Sequence, residues 1–343
     1  MYARFLSTVL TLSILFISPV AGLNYFVDPY GYFRTDFSGQ KTEPNQQLVK
    51  MKYIIDNPAK YDCFIFGSSR CGNMDPKKIP DKKAYNMTYS EGLPAEWLGN
   101  IKTMLEHGVT VKTVIICLDD FSFRLNPADH ESQWMRLSYR ENMQPIYWRY
   151  VLRFPQAEVI KPYFNKQPAA VFYDIYDSGR PLHPEVDEAI EKEPEKHIND
   201  SKFWVPMKHE EERIAQTIEE IRQIKALTDQ NKIELILVMN PIHITTYMGN
   251  NREELYRFQQ ELVKIAPFWD FSAPSSVTTN NYYFYETSHY RPLVGDWMVA
   301  RMFGLNGKDL PVEFGTCVGK DTVESYLQKV REKAQTAHIN SFY

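Results

Sequence analysis

Two short stretches, far apart in the chain, carry residue types that can do chemistry together. The first is Gly67-Ser68-Ser69-Arg70, which follows the continuous apolar run Cys63-Phe64-Ile65-Phe66. The second is Glu286-Thr287-Ser288-His289, followed by Tyr290-Arg291-Pro292. A serine hydroxyl is a weak nucleophile until an imidazole takes its proton, and a carboxylate on the far ring nitrogen holds that imidazole in place. A three-residue spacing on an irregular segment lets Glu286 reach Nδ1 of His289 and turn Nε2 toward a hydroxyl. Each stretch also has a plain structural reading. Gly-Ser-Ser can be an ordinary strand-to-helix turn in which Ser68 or Ser69 caps the next helix. Glu-x-x-His on a helix would be an i,i+3 surface pair.

The elements that must position these residues alternate strand and helix. Cys63 to Phe66 has the unbroken apolar character of a strand buried on both faces. Further strands are expected at 83–87, 111–118, 233–239 and 268–271, and helices at 46–56, 94–107, 207–230, 252–265 and 292–303. That order predicts a three-layer α/β/α fold on a doubly wound parallel sheet of flavodoxin-like topology, with 63–66, 111–118 and 233–239 as neighbouring parallel strands. Ser69 ends the first strand and His289 follows the last, so a doubly wound sheet brings both to its carboxyl edge. The alternation lapses from about 121 to 206, a stretch rich in Pro, Trp, Tyr and His that reads as an insertion over that edge, with short helices at 143–153 and 185–193.

The chain has 343 residues, a formal net charge of −4 and 22 Tyr and 20 Phe. That charge gives no electrostatic argument for nucleic acid, and the aromatics suit packing or carbohydrate binding. Cys63, Cys71, Cys117 and Cys317 show no paired spacing, so no zinc site is expected, though a disulfide involving Cys71 or Cys317 is open. No Gly-rich phosphate loop follows a strand, which argues against a flavin or dinucleotide protein, and no cofactor is implied. At the N-terminus, Arg4 precedes a run free of charge up to Asp28. Residues 1–27 read as an export signal retained as an anchor, with cleavage near Val20-Ala21-Gly22 as the alternative. The expected organisation is then a juxtamembrane connector at 28–45, the α/β domain at 46–310 and a peripheral helical tail at 311–343, all outside the membrane.

Other residues at strand ends are candidate substrate contacts: Arg70, Asp120, Asn240 and His243. Arg70 could instead pair with Asp75, Asp119 and Asp120 could cap a loop or bind a metal, and His243 could be a plain loop histidine. His183, His197 and His209 read as solvated residues in or beside the insertion.

Gly67-Ser68-Ser69 after the first strand, with a carboxylate three residues before a late histidine, resembles the SGNH (GDSL-type) hydrolase superfamily. More narrowly it is similar to its membrane-anchored members, which include D-alanyl-lipoteichoic acid transfer proteins and polysaccharide O-acetylation factors. The resemblance covers most of 25–303 as scattered short motifs. It implies Ser69 as nucleophile, His289 as general base and Glu286 as orienting acid, although Asp is usual at the last position. The superfamily's Gly-x-Asn-Asp block is replaced here by Leu118-Asp119-Asp120-Phe121. An ionised aspartate cannot donate to an oxyanion, so the hole would rest on backbone N–H groups of Ser69 and of the Ser90-Glu91-Gly92 loop, Gly92 among them. The implied activity is a serine-dependent acyl esterase or O-acyltransferase, handling acetyl- or D-alanyl-type esters on a cell-surface polysaccharide or teichoic-acid-like polymer. A membrane-bound O-acyltransferase would be the acyl source. The competing expectation is a non-catalytic glycan-binding or envelope-assembly scaffold on the same fold.

Overall fold

The computed structural model describes residues 2–140, 142–165 and 168–337. Its centre is a sheet of β1 (Cys63–Phe66), β2 (Ala84–Asn86), β3 (Thr113–Leu118), β4 (Glu234–Met239), β5 (Phe268–Asp270) and β6 (Thr316–Val318), in the order β2-β1-β3-β4-β5-β6. The first five strands run parallel, and β6 pairs antiparallel with β5. The neighbouring strands expected from the three apolar runs are β1, β3 and β4. The strand order reverses at β1, so its carboxyl end lies at a topological switch point, where open α/β sheets keep their crevice.

Ahead of the sheet lie α1 (Tyr2–Val27) and α2 (Gln46–Asp56), and α3 (Pro94–Glu106) leads from β2 to β3. The insertion carries α4 (Pro127–His130), α5 (Gln144–Val151), α6 (Ala157–Phe164), α7 (Pro184–Lys192) and α8 (Pro194–Ile198). Then come α9 (Ile214–Gln230) before β4, α10 (Ile244–Gly249) and α11 (Arg252–Leu262) before β5, α12 (Pro292–Met302), and α13 (Val323–Thr336). The helix expected from 207 begins only at Ile214, because residues 207–213 stay non-helical, with the N–H groups of Met207 and His209 donating to Thr246 and Asn250 at α10.

The alternation of β3 sorts the helices into two layers. Val114, Ile116 and Leu118 share a core with Trp97 and Ile101 of α3, Ile218 and Ile221 of α9, and Phe258 of α11. Ile115 and Cys117 point the other way, into a core with Met74 and with Val294 and Met298 of α12. Burying each such aliphatic side chain stabilises the fold by about 1.5–3 kcal/mol. The three layers follow from strands that are apolar on both faces.

Two margins differ from the expectation. The tail is not peripheral: β6 extends the sheet, and Val323, Leu327, Val330 and Ala334 of α13 bury themselves in the first core. Residues 28–45 are not a loose connector either. Asp28 is buried and accepts the backbone N–H groups of Tyr32, Phe33 and Arg34. Tyr32 stacks on Tyr150 of α5 at 4.3 Å between centroids. All four cysteines are free, Cys317 alone being exposed, so the disulfide left open by the sequence does not form. α1 is long and apolar enough to cross a membrane, judged by length and composition.

Candidate active site

Ser69 takes its place from the turn that ends β1. Glycine suits position 67, since a Cβ there would sit a tight 3.0 Å from the Cβ atoms of both Cys117 and Cys71. Ser68, fully buried, caps a 3-10 turn at Ser69–Asn73 by accepting the Arg70 N–H at 3.2 Å. Capping and chemistry are thus divided between the two serines. Ser69 is left half-buried at the head of the turn, where its backbone N–H precedes any acceptor the turn can offer.

The histidine sits on a tight loop clamped at both ends. Phe284 and Tyr290 form an antiparallel bridge, and the Tyr285 N–H donates to the His289 carbonyl at 2.8 Å. Buried Thr287 donates to the Val205 carbonyl at 2.6 Å and accepts at its own carbonyl from Thr246 at 2.8 Å. The loop is therefore seated on the last residues of the insertion. It carries His289 Nε2 to 2.8 Å from Ser69 Oγ, while Nδ1 hydrogen-bonds Glu286 Oε1. A proton on Nδ1, donated to Glu286, leaves Nε2 free to accept from the serine. Glu286 also accepts the N–H of Ser288 at 2.6 Å and of His289 at 3.0 Å. Burial pushes its carboxyl up, but the bond to His289, the charge of His289 and the two backbone N–H groups outweigh that and hold it below the ordinary value.

The four expected substrate contacts are placed elsewhere. Arg70 is buried and turns away from the cleft: Nε donates to Ser288 Oγ at 3.0 Å, and Nη1 pairs with Asp120 and, at 3.6 Å, with Asp119. Asp75, its other anticipated partner, pairs with Arg180 at 3.2 Å. Asp120 is thus engaged beneath the site. Asn240 is fully buried and donates to Asp119 Oδ1 at 3.0 Å. At these strand ends two buried carboxylates share a single buried guanidinium, which offsets their mutual repulsion.

Gly92 is not an oxyanion donor. Its N–H is committed to the Tyr89 carbonyl at 3.2 Å, and a Cβ there would strike the Gly67 carbonyl at 2.6 Å. Glycine is needed for that close approach. The Ser90 N–H is likewise taken, by Gln46 Oε1 at 2.9 Å. The backbone N–H of Ser69 stands at the nucleophile itself, beside the Ser68–Tyr89 bridge.

His243 is fully buried, packed between Phe203 and Phe284. Its Nδ1 caps α10 by accepting the Thr245 N–H at 3.2 Å, and Nε2 donates to Asn281 Oδ1 at 2.9 Å. Burial lowers its ring to about 4, against smaller opposing pulls from Asn281 and Glu286. A histidine kept neutral in this way stabilises the fold fully above its unfolded value near 6.5, and loses that stabilisation as pH falls through about 4. The loss between pH 6.5 and 4 is expected to approach about 3 kcal/mol. Urea titrations at pH 7.5 and 4.5 measure it: His243→Asn, which retains a capping oxygen, should lose distinctly less stability over that range than the parent. Equal losses would sink the assignment.

Ser69 and His289 open onto a cleft of about 420 Å³. Its remaining walls include Glu43 ahead of α2 and Gln46 at its start, Thr88 and Ser90 after β2, and Tyr173 and His183 of the insertion. Glu43 accepts the Tyr173 hydroxyl at 2.5 Å. Behind it, buried Lys50 donates to the Thr88 carbonyl and lies 5.0 Å over the Tyr173 ring, with burial pulling its ammonium down to about 7. These wall residues carry no signal in the sequence that marks them. Of the histidines expected to be solvated, His183 is exposed and lines the cleft, whereas His197 is buried against the Phe284 carbonyl. No protein-family model matches the chain, and no curated protein sequence matches it significantly.

Proposed function

We propose that the chain is a membrane-anchored, extracytoplasmic serine enzyme of SGNH type. It moves or removes a small acyl group, acetyl or D-alanyl, on a cell-surface polysaccharide or teichoic-acid-like polymer. The observation that carries this reading is the alignment Ser69 Oγ, His289 Nε2, Glu286 at one open cleft. Ser69 Oγ attacks the acyl carbonyl as its proton passes to Nε2. The tetrahedral intermediate collapses, the departing alkoxide takes that proton, and an acyl-serine ester remains. Water or an acceptor hydroxyl then attacks the ester and gives its proton to Nε2, which passes that proton to Ser69 Oγ as the acyl–serine bond breaks. A membrane-bound O-acyltransferase is the fitting acyl source, and α1 keeps the cleft near the membrane.

A second reading, a non-catalytic glycan-binding scaffold, is favoured by the thin oxyanion provision, since Asp120 is ion-paired and the Gly92 N–H is occupied. A fluorophosphonate probe on the full detergent-solubilised chain separates the two. The expected outcome is one-to-one labelling that Ser69→Ala abolishes. An unlabelled parent chain would favour the scaffold.

A further inference from the structure

The outer end of α1 does not leave the domain freely. The Asn24 side chain is buried and donates to the carbonyls of Val151, at 2.9 Å, and Arg153, at 2.6 Å. Tyr25 packs on Phe33, which packs in turn on Tyr147 of α5. The end of α5 is thereby fixed at the height of Asn24. An apolar bilayer core takes about 20 helical residues to cross, so a span beginning after Arg4 ends at about Asn24. The chain just beyond α5 must then lie at the boundary between hydrocarbon and headgroups.

The exposed side chains there match that environment. Trp148, Leu152 and Phe154 are 64%, 50% and 87% exposed, an unusual outlay of apolar surface in one short segment. Trp148 and Leu152 stand one turn apart on the face of α5 opposite buried Ile146 and Tyr150. Arg149 is exposed beside them, and Phe26 continues the apolar surface from α1. Tryptophan is enriched at headgroup depth, and an arginine beside it can lay its stem along the interface with its charge in water.

We propose that this segment is a second membrane contact: Trp148, Leu152 and Phe154 insert into the outer interfacial layer of the bilayer that α1 spans. The anchor is then one leg of a two-point attachment. The insertion that walls the cleft is held at a set angle to the membrane instead of swinging on a tether. The proposal rests on the membrane-anchored reading of α1 and is independent of the serine chemistry.

Its test uses the full chain mixed with phosphatidylcholine liposomes, then reconstituted in nanodiscs whose phospholipids carry bromine at shallow or deep acyl positions. Flotation with the liposomes is measured first. The Trp148 emission is next isolated as the difference between the parent and Trp148→Phe, a mild change at an exposed site. Shallow bromine is expected to quench that component at least twofold, and deep bromine distinctly less. A chain that fails to float overturns the anchor and the docking together. A chain that floats while Trp148 stays unquenched overturns the docking alone, and leaves the patch to a protein partner.

Discussion

His289→Ala should lower acyl-group turnover by roughly 10⁴–10⁶-fold, the scale on which serine enzymes lose activity without their base. The size follows from the geometry: Nε2 at 2.8 Å is the group positioned to take the Ser69 proton. Glu286→Gln should behave differently, leaving a residual rate about 10²–10⁴-fold below the parent. Both carboxylate oxygens are in use, Oε2 accepting from Ser288 and Oε1 from His289 twice. An amide has only one acceptor oxygen, so the substituted side chain must turn its NH₂ either on a backbone N–H or on Nδ1. The first choice opens the loop, and the second forces the proton onto Nε2, where it blocks proton uptake from serine. Turnover of a model acetyl ester, with fluorophosphonate labelling rates alongside, checks the order. Equal, undetectable rates for both variants would mean that Glu286 holds the loop together and not only the imidazole. Rates unchanged from the parent would end the triad assignment.

The parts of this protein legible in the sequence are those fixed by short-range physics. The strands β1, β3 and β4 announce themselves because a strand covered on both faces must be apolar at successive positions. Glu286 and His289 are readable together because only a local spacing lets one chain segment supply both groups. By contrast, β6 is three residues long and mostly exposed, with no periodicity to reveal it. The cleft wall is invisible for another reason. It joins Glu43 to Tyr173 across 130 positions, through a stretch whose turns and short helices have no regular pattern. Gly92 shows how a correct residue choice can carry the wrong reason: a glycine is demanded, but by the Gly67 carbonyl it must approach. Arg70 and His243 mislead in the same way. A charged or titratable residue at a strand end suits a crevice, and nothing local tells whether its partners come from solvent or from the interior.

Arg70→Met should destabilise the fold by about 3–5 kcal/mol, the usual cost of stripping one partner from a buried ion pair. The guanidinium is buried and holds two carboxylates, Asp119 and Asp120, at the end of β3. Burial works against its charge, yet the two aspartates prevail and keep its pKa above the ordinary value. Without it they face each other in a space that already pushes the Asp119 carboxyl up. One of them must then take a proton on folding. The sign of the pH effect comes from that proton. A carboxyl whose folded value is raised costs stability above that value, so the deficit should be full at pH 8 and shrink as pH falls toward 4. Arg70→Lys should rescue little, since one ammonium cannot reach Ser288 and both aspartates from a single point. Adding Asp120→Asn to Arg70→Met should recover part of the loss, because the repulsion disappears with the charge. The same bond to Ser288 ties the turn of Ser69 to the loop of His289, so turnover should fall even at temperatures where Arg70→Met stays folded. At pH 8 a destabilisation of that size corresponds to a drop in melting temperature of order 10 °C. A melting temperature within about 2 °C of the parent's would show instead that the aspartates are satisfied by other means and that Arg70 does not join the two halves of the site.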